Sequence, residues 1–170
     1  MMDEFELNVN RLFAGYACSK IVVLGIGNEL RRDDAVGLAV VDRLSSSIDD
    51  SSVIVLNCQS APENYTGNVK RIKPTCIVLI DAADFGASPG DARIFQLHDL
   101  EESSVTTHKA SLLTLGEYLQ SEINCNIFVI GIQPADCDFG SGLSPIARRA
   151  SIVVADSVSA AINRIRVKKG

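Results

Sequence analysis

Residues 21–37, Ile21-Val22-Val23-Leu24-Gly25-Ile26-Gly27-Asn28-Glu29-Leu30-Arg31-Arg32-Asp33-Asp34-Ala35-Val36-Gly37, restrict the fold more than any other stretch of the chain. The opening apolar run is too short for a typical helix and rich in β-branched residues, so it reads as a parallel strand buried on both faces. Gly25, Gly27 and Asn28 then break the run and permit a sharp turn and a close backbone approach. Behind the turn, Val36, Val40, Leu44 and Ile48 recur at helical spacing, which predicts a helix to about Leu44 or Ser47. Asp33 and Asp34 fall at its start, where unpaired N–H groups and the helix dipole favour an ionised acid.

Strand, tight loop and helix suggest a dinucleotide-binding fold, but the third glycine of G-x-G-x-x-G would stand at position 30, which is Leu30. Two acids at the anion-binding end of a helix also oppose a phosphate and suit a cation. The plainer alternative makes Asp33 an N-cap and Asp34 a solvated first-turn acid.

Similar strands follow. Val53–Asn57 is a second buried run, and Cys58-Gln59-Ser60-Ala61-Pro62-Glu63-Asn64 is a loop at its carboxyl end. Glu63 is either an ordinary loop acid or a second carboxylate lining the Asp34 cleft. Thr75–Asp81 is a third strand ending in an acid, and in a parallel sheet Asp81 would share the edge that carries the Gly25–Asp34 loop. Asp84 reads as a capping or turn residue. Ala92–Leu97 alternates loosely, as an exposed antiparallel edge strand does. His108 precedes a helical pattern at Leu112, Leu115, Leu119 and Ile123, whereas His98 reads as a surface residue. Asn126–Ile132 is the last strand, and Asp136-Cys137-Asp138 lies in the loop behind it, without the spacing of a calcium loop. Ser144-Pro145 opens a closing helix with Ile146, Ala150, Val153, Val158, Ile162 and Ile165 on one face.

Strands separated by helices predict one α/β domain, a three-layer sandwich with a mostly parallel sheet of about five strands and helices on both faces. A length of 170 residues suits a single core. Residues 1–20 stand outside it as an extension, where Phe5, Val9, Leu12, Phe13 and Tyr16 predict an amphipathic helix that covers its own domain or docks a partner. The net charge of −5 with scattered basic residues argues against nucleic acid. No apolar run approaches the ~20 residues needed to span a bilayer, and a cytoplasmic location is expected. Five cysteines, at 18, 58, 76, 125 and 137, lack C-x-x-C spacing and imply neither a disulfide framework nor a zinc motif; Cys137, in a loop, is kept as a candidate for reactivity.

The predicted carboxyl edge therefore gathers Asp34, Asp81 and His108. Two carboxylates and an imidazole can hold a transition metal with open positions. No G-x-S-x-G elbow is present.

Gly25-Ile26-Gly27-Asn28-Glu29-Leu30 with Asp33-Asp34 and Gly37, then Ile80-Asp81-Ala82, Thr106-Thr107-His108 and Gly131-Ile132-Gln133-Pro134, resemble in order the motifs of the hydrogenase maturation endopeptidases. The resemblance spans about residues 20–165, so 21–166 would be the peptidase domain. Ser60–Asn64 and Gly131–Pro134 look most like the branch serving formate-hydrogenlyase-type and coenzyme F420-reducing hydrogenases. It implies an endopeptidase that removes the C-terminal extension of a nickel-containing hydrogenase large-subunit precursor after nickel insertion. Asp34, Asp81 and His108 would contact nickel carried by the substrate and not permanently bound, and Asp34 and Asp81 would be catalytic. A family Asp-Gly pair near the end of the second strand is replaced by Cys58-Gln59, so no role for that aspartate carries over. Two other classes stay open: a flavodoxin-like or nucleotide-binding module without peptidase activity, and a general metallo-aminopeptidase.

Overall fold

The computed structural model describes residues 2–102 and 108–167. In chain order the elements are α1 (Met2–Ala14), β1 (Ile21–Gly25), α2 (Val36–Ser47), β2 (Val53–Asn57), α3 (Thr66–Ile72), β3 (Cys76–Ala82), β4 (Ala92–Gln96), α4 (Asp99–Glu102), α5 (Lys109–Glu122), β5 (Asn126–Ile132) and α6 (Pro145–Val167). Short 3₁₀ turns, Arg32–Ala35 and Pro62–Tyr65, precede α2 and α3.

The five strands form one sheet in the order β2-β1-β3-β5-β4. Four are parallel, and β4 pairs antiparallel with β5, as its loose alternation predicts. Helices cover both faces, and successive strand residues divide between two cores. Ile21, Val23, Val78 and Ile80 pack with α1, α2 and α6, while Val22, Leu24, Ile77 and Leu79 pack with α3 and α5. Burial on both faces is why these runs read as continuously apolar.

The chain leaves β1 toward β2 on one side and returns to β3 on the other, so the β1 and β3 loops diverge at the carboxyl edge. That is the switch point where open α/β sheets form their crevice.

Several details differ from the sequence expectation. The helix after the first loop begins at Val36, after a 3₁₀ turn, and neither Asp33 nor Asp34 caps it: Arg31 and Ala35 hold the N-cap positions, without side-chain cap bonds. The close helix–strand approach that Leu30 forbids is made by Gly37. A Cβ there would lie 2.2 Å from Ile80 O and 2.4 Å from Ile26 O.

Helix α3 has no counterpart in the sequence reading. It is seven residues long, buries Val69 alone and includes Gly67 and Asn68, too little apolar periodicity to announce itself. In α6 the buried residue is Val154, whereas Val153 is 37% exposed; the stripe runs through Ala147, Ala150, Val154, Val158, Ala161, Ile162 and Ile165. Ser144 does cap α6, its Oγ accepting from Ala147 N at 3.2 Å.

Phe5, Val9 and Phe13 of α1 are buried in the same cluster as α2 and α6, so this face of α1 is covered by its own chain. Among the described residues no helix is long and apolar enough to cross a membrane.

Candidate active site

Glycines make the first loop tight enough to carry an acid to the strand ends. A Cβ on Gly25 would meet Val41 Cγ2 at 2.3 Å, and one on Gly27 would meet Asp34 O at 2.2 Å. The loop is also fixed by neighbours: Ile26 N donates to Ile80 O at 2.9 Å and Gly27 N to Gln59 O at 3.0 Å. Asp34 N donates to Arg31 O at 3.0 Å, which closes the turn and leaves Asp34 buried beside β3.

Asp81 comes from β3 and is fully buried. Its Oδ1 accepts from Ala82 N at 2.9 Å, and its Oδ2 lies 3.1 Å from His108 Nδ1. His108, at the N-cap position of α5, reaches the same point from the opposite side, with Nε2 4.0 Å from Asp34 Oδ2. One donor atom from each of Asp34, Asp81 and His108 lies within 4.8 Å of the others. These are the three residues to which the sequence assigned the cleft. Thr106 and Thr107 of the same motif lie outside the described residues.

Burial raises the Asp81 carboxyl to about 6; the bond and charge of His108 oppose the rise, and the charge of Asp34 adds to it. The Asp81 bond also raises the His108 pKa against the opposing effect of burial. With Nδ1–H donating to Asp81, Nε2 carries the imidazole lone pair on the side of Asp34. Two carboxylates and one imidazole from different elements form an oxygen and nitrogen donor set that suits a divalent transition metal. A metal–ligand distance of about 2.1 Å places two donors of one ion up to about 4.2 Å apart, so small side-chain shifts would close the cluster on one ion.

Asp33 is neither an N-cap nor solvated. It is fully buried, and both carboxylate oxygens accept bonds from the loop before α6: Oδ1 from Ser144 N at 2.7 Å, and Oδ2 from Ala135 N at 2.9 Å and Ser144 Oγ at 2.8 Å. Asp33 therefore clamps the two loops together beneath Asp34. The sequence offers a cue, since Ser144 reads as a cap, but its partner Asp33 lies more than a hundred residues away.

Gln133 was likewise missed. Its buried Oε1 accepts from Phe85 N at 2.9 Å and Ala87 N at 3.2 Å, and its Nε2 donates to Asp84 Oδ1 at 3.1 Å, shaping the loop behind Asp81. Asp84 is thus a loop-shaping residue, as expected.

The remaining candidates are not among the three clustered donors. Glu63 is exposed on the turn before α3 and lines a groove with Thr66, Ala110, Thr114 and Tyr118. The Cys137 thiol is pushed up to about 11 by burial and then by Asp34 and Asp33, which keeps it protonated and unreactive. Asp136 pairs with Arg32 and takes Asp138 N at 2.7 Å, a role in holding the loop. His98 is exposed, as expected. Gln59 takes a left-handed φ of 52°, a conformation that a glycine adopts at less cost.

Comparisons with known proteins agree with this architecture. The family model HycI, hydrogenase maturation protease, matches residues 38–163, a span that contains Asp81 and His108 and begins just after Asp34. The chain is 36% identical over 129 residues to a putative hydrogenase maturation protease of Methanocaldococcus jannaschii, covering 72% of this chain and 76% of that protein. It is 33% identical over 114 residues to the hydrogenase 3 maturation protease of Escherichia coli K12, covering 66% and 72%. The crystal structure of a [NiFe] hydrogenase maturation protease, HycI, from Thermococcus kodakarensis superposes with a TM-score of 0.82 at 29% identity, over 92% of this chain and 99% of that one. On the family match and these relatives, the chain belongs to the hydrogenase maturation proteases, endopeptidases of the hydrolase class.

Proposed function

We propose that this protease removes the C-terminal extension of a nickel-containing hydrogenase large-subunit precursor once nickel is in place, and that Asp34, Asp81 and His108 read the bound nickel directly. The observation that carries the reading is the convergence of three donor atoms within 4.8 Å at the switch point of the sheet. Nickel is here part of the substrate. Three protein donors without the precursor's own thiolates bind such an ion modestly, and the shared shell is completed only when the loaded precursor docks. Recognition and the order of maturation are then one event.

The reading also assigns the chemistry. A water in the cleft gives its proton to Asp34 or Asp81 as its oxygen bonds to the scissile carbonyl carbon. Asp81, raised to about 6, suits a base that must later release that proton. As the C–N bond breaks, the proton passes to the leaving nitrogen of the extension, and the mature chain keeps a new carboxylate. The Asp81 bond holds the His108 ring in one orientation throughout. A phosphate-bearing ligand is not favoured, since Asp33 and Asp34 are both buried behind the first loop.

The test is the intact mass of a precursor, nickel-loaded or nickel-free, after incubation with this protein or its Asp81→Asn variant. The reading expects loss of a C-terminal fragment from the loaded precursor alone, and only with the unsubstituted protein. Cleavage of both forms, indifferent to the substitution, would overturn it in favour of a peptidase that supplies its own metal.

A further inference from the structure

Next to the three-residue cluster, two large apolar side chains stand in solvent. Leu30 is 59% exposed and Phe139 is 80% exposed. They belong to the loop after β1 and the loop before α6, which are zipped together. Gly140 N donates to Leu30 O at 2.8 Å, Arg32 N donates to Gly140 O at 3.0 Å, and Arg31 Nε donates to Cys137 O at 3.1 Å. Below them lie the Asp33 clamp and the Arg32–Asp136 ion pair.

A single exposed Leu or Phe is ordinary on a protein surface. Two on one doubly clamped backbone, on the loops that carry Asp34 and hold Asp33, are not. The exposed, charged Glu29 and Arg31 flank Leu30, and the exposed Asp138 precedes Phe139, giving an apolar centre with a polar rim. Asp34 N bonds to Arg31 O at 3.0 Å, so the ridge begins one turn from a donor of the cluster.

We propose that Leu30 and Phe139 form an apolar ridge that docks against the folded surface of the hydrogenase large-subunit precursor beside its cleavage segment. This rests on the function proposed above and names the surface by which that substrate is held. The occupant is a folded face, because a protruding aromatic fills a hollow in its partner, whereas an extended peptide is held in a groove or along a strand edge. It is the precursor and not a second copy, because a second copy seated here would stand over the cluster and shut the substrate out. Preformed geometry also lowers the ordering cost of docking.

The experiment is steady-state processing of nickel-loaded precursor, followed by intact mass, with the full chain and its Leu30→Ser, Phe139→Ser and Phe139→Leu variants. Thermal melts and sedimentation accompany each. We expect KM for the precursor to rise about tenfold or more in Phe139→Ser and Leu30→Ser, with kcat at saturation within about twofold and unchanged melting. Phe139→Leu should restore most of the affinity. An unchanged KM overturns the ridge while leaving the proposed function intact. So does a fall in kcat alone, which would assign these residues to the chemistry, or a change of oligomeric state with unchanged KM, which would make the face a self-association surface. No processing by the unsubstituted protein overturns the underlying function, and the ridge with it.

Discussion

Replacing Asp81 by Asn should make the metal-free protein more stable and inactive at once. The carboxyl is fully buried and raised from 3.8 to about 6. Two pH units at about 1.4 kcal/mol each mean that ionising this group in the folded chain costs about 3 kcal/mol. The sign follows from proton uptake. A folded-state pKa above the unfolded value means that the native protein holds the proton more tightly, so this stability is full below about pH 4 and is lost as pH rises through 6. Asn has the same shape and no charge to desolvate. Its Oδ1 can accept from Ala82 N, and its Nδ2 can donate to His108 Nδ1 in the other tautomer. The attraction of His108 opposes the rise and is already contained in that value. In chelator at pH 7.5, denaturant melts should therefore find Asp81→Asn more stable by about 1–3 kcal/mol, with the advantage shrinking toward zero near pH 4. Nickel-dependent processing should be abolished. A variant less stable at pH 7.5, or a gain equal at both pH values, would refute the claim that the buried charge is strained in the metal-free site.

Three further outcomes follow from the geometry. Both oxygens of Asp33 accept from backbone N–H groups, so either rotamer of Asp33→Asn turns its amide against a donor; denaturant melts should show a loss of about 2–4 kcal/mol. Gly37→Ala drives a Cβ to 2.2 Å from Ile80 O, and a loss of about 3 kcal/mol or more is expected in the same assay, because both contacts are backbone. Cys137→Ser should process precursor within about twofold of the unsubstituted rate, and iodoacetamide at pH 7.5 should not inactivate the protein, since a thiol near 11 is not a nucleophile there.

What the sequence made legible was what local pattern encodes. β1, β3 and β5 are buried on both faces, so their apolar runs announced themselves, and Asp81 at a strand's carboxyl end fell on a defined edge of the sheet. The sequence put Asp34 at the cleft and left Asp33 as a cap, but what physically separates the two acids was not legible. The two acids are adjacent and chemically alike, and what separates them is the loop at 135–144, which claims Asp33. Gly37 belonged to the motif without a structural role, yet it supplies the helix–strand contact that Leu30 could not. Gln133 stood in a quoted motif without a role, because its partners, Asp84 and the N–H groups of Phe85 and Ala87, reach it only through the pairing of β3 with β5. Helix α3 buries too few residues to leave a pattern. Distances between groups far apart in the chain, such as the 3.1 Å from His108 Nδ1 to Asp81 Oδ2, are set by tertiary packing and are encoded in no spacing.

The central claim is that Asp34, Asp81 and His108 complete the coordination of nickel carried by the precursor. The most direct measurement is nickel K-edge X-ray absorption of the loaded precursor, alone and with a molar excess of this protein under conditions that slow cleavage. The account predicts added nitrogen and oxygen ligands at about 2.1 Å on mixing, absent with His108→Ala and Asp81→Asn. An unchanged nickel spectrum in a complex that nevertheless goes on to cleave its precursor would contradict it.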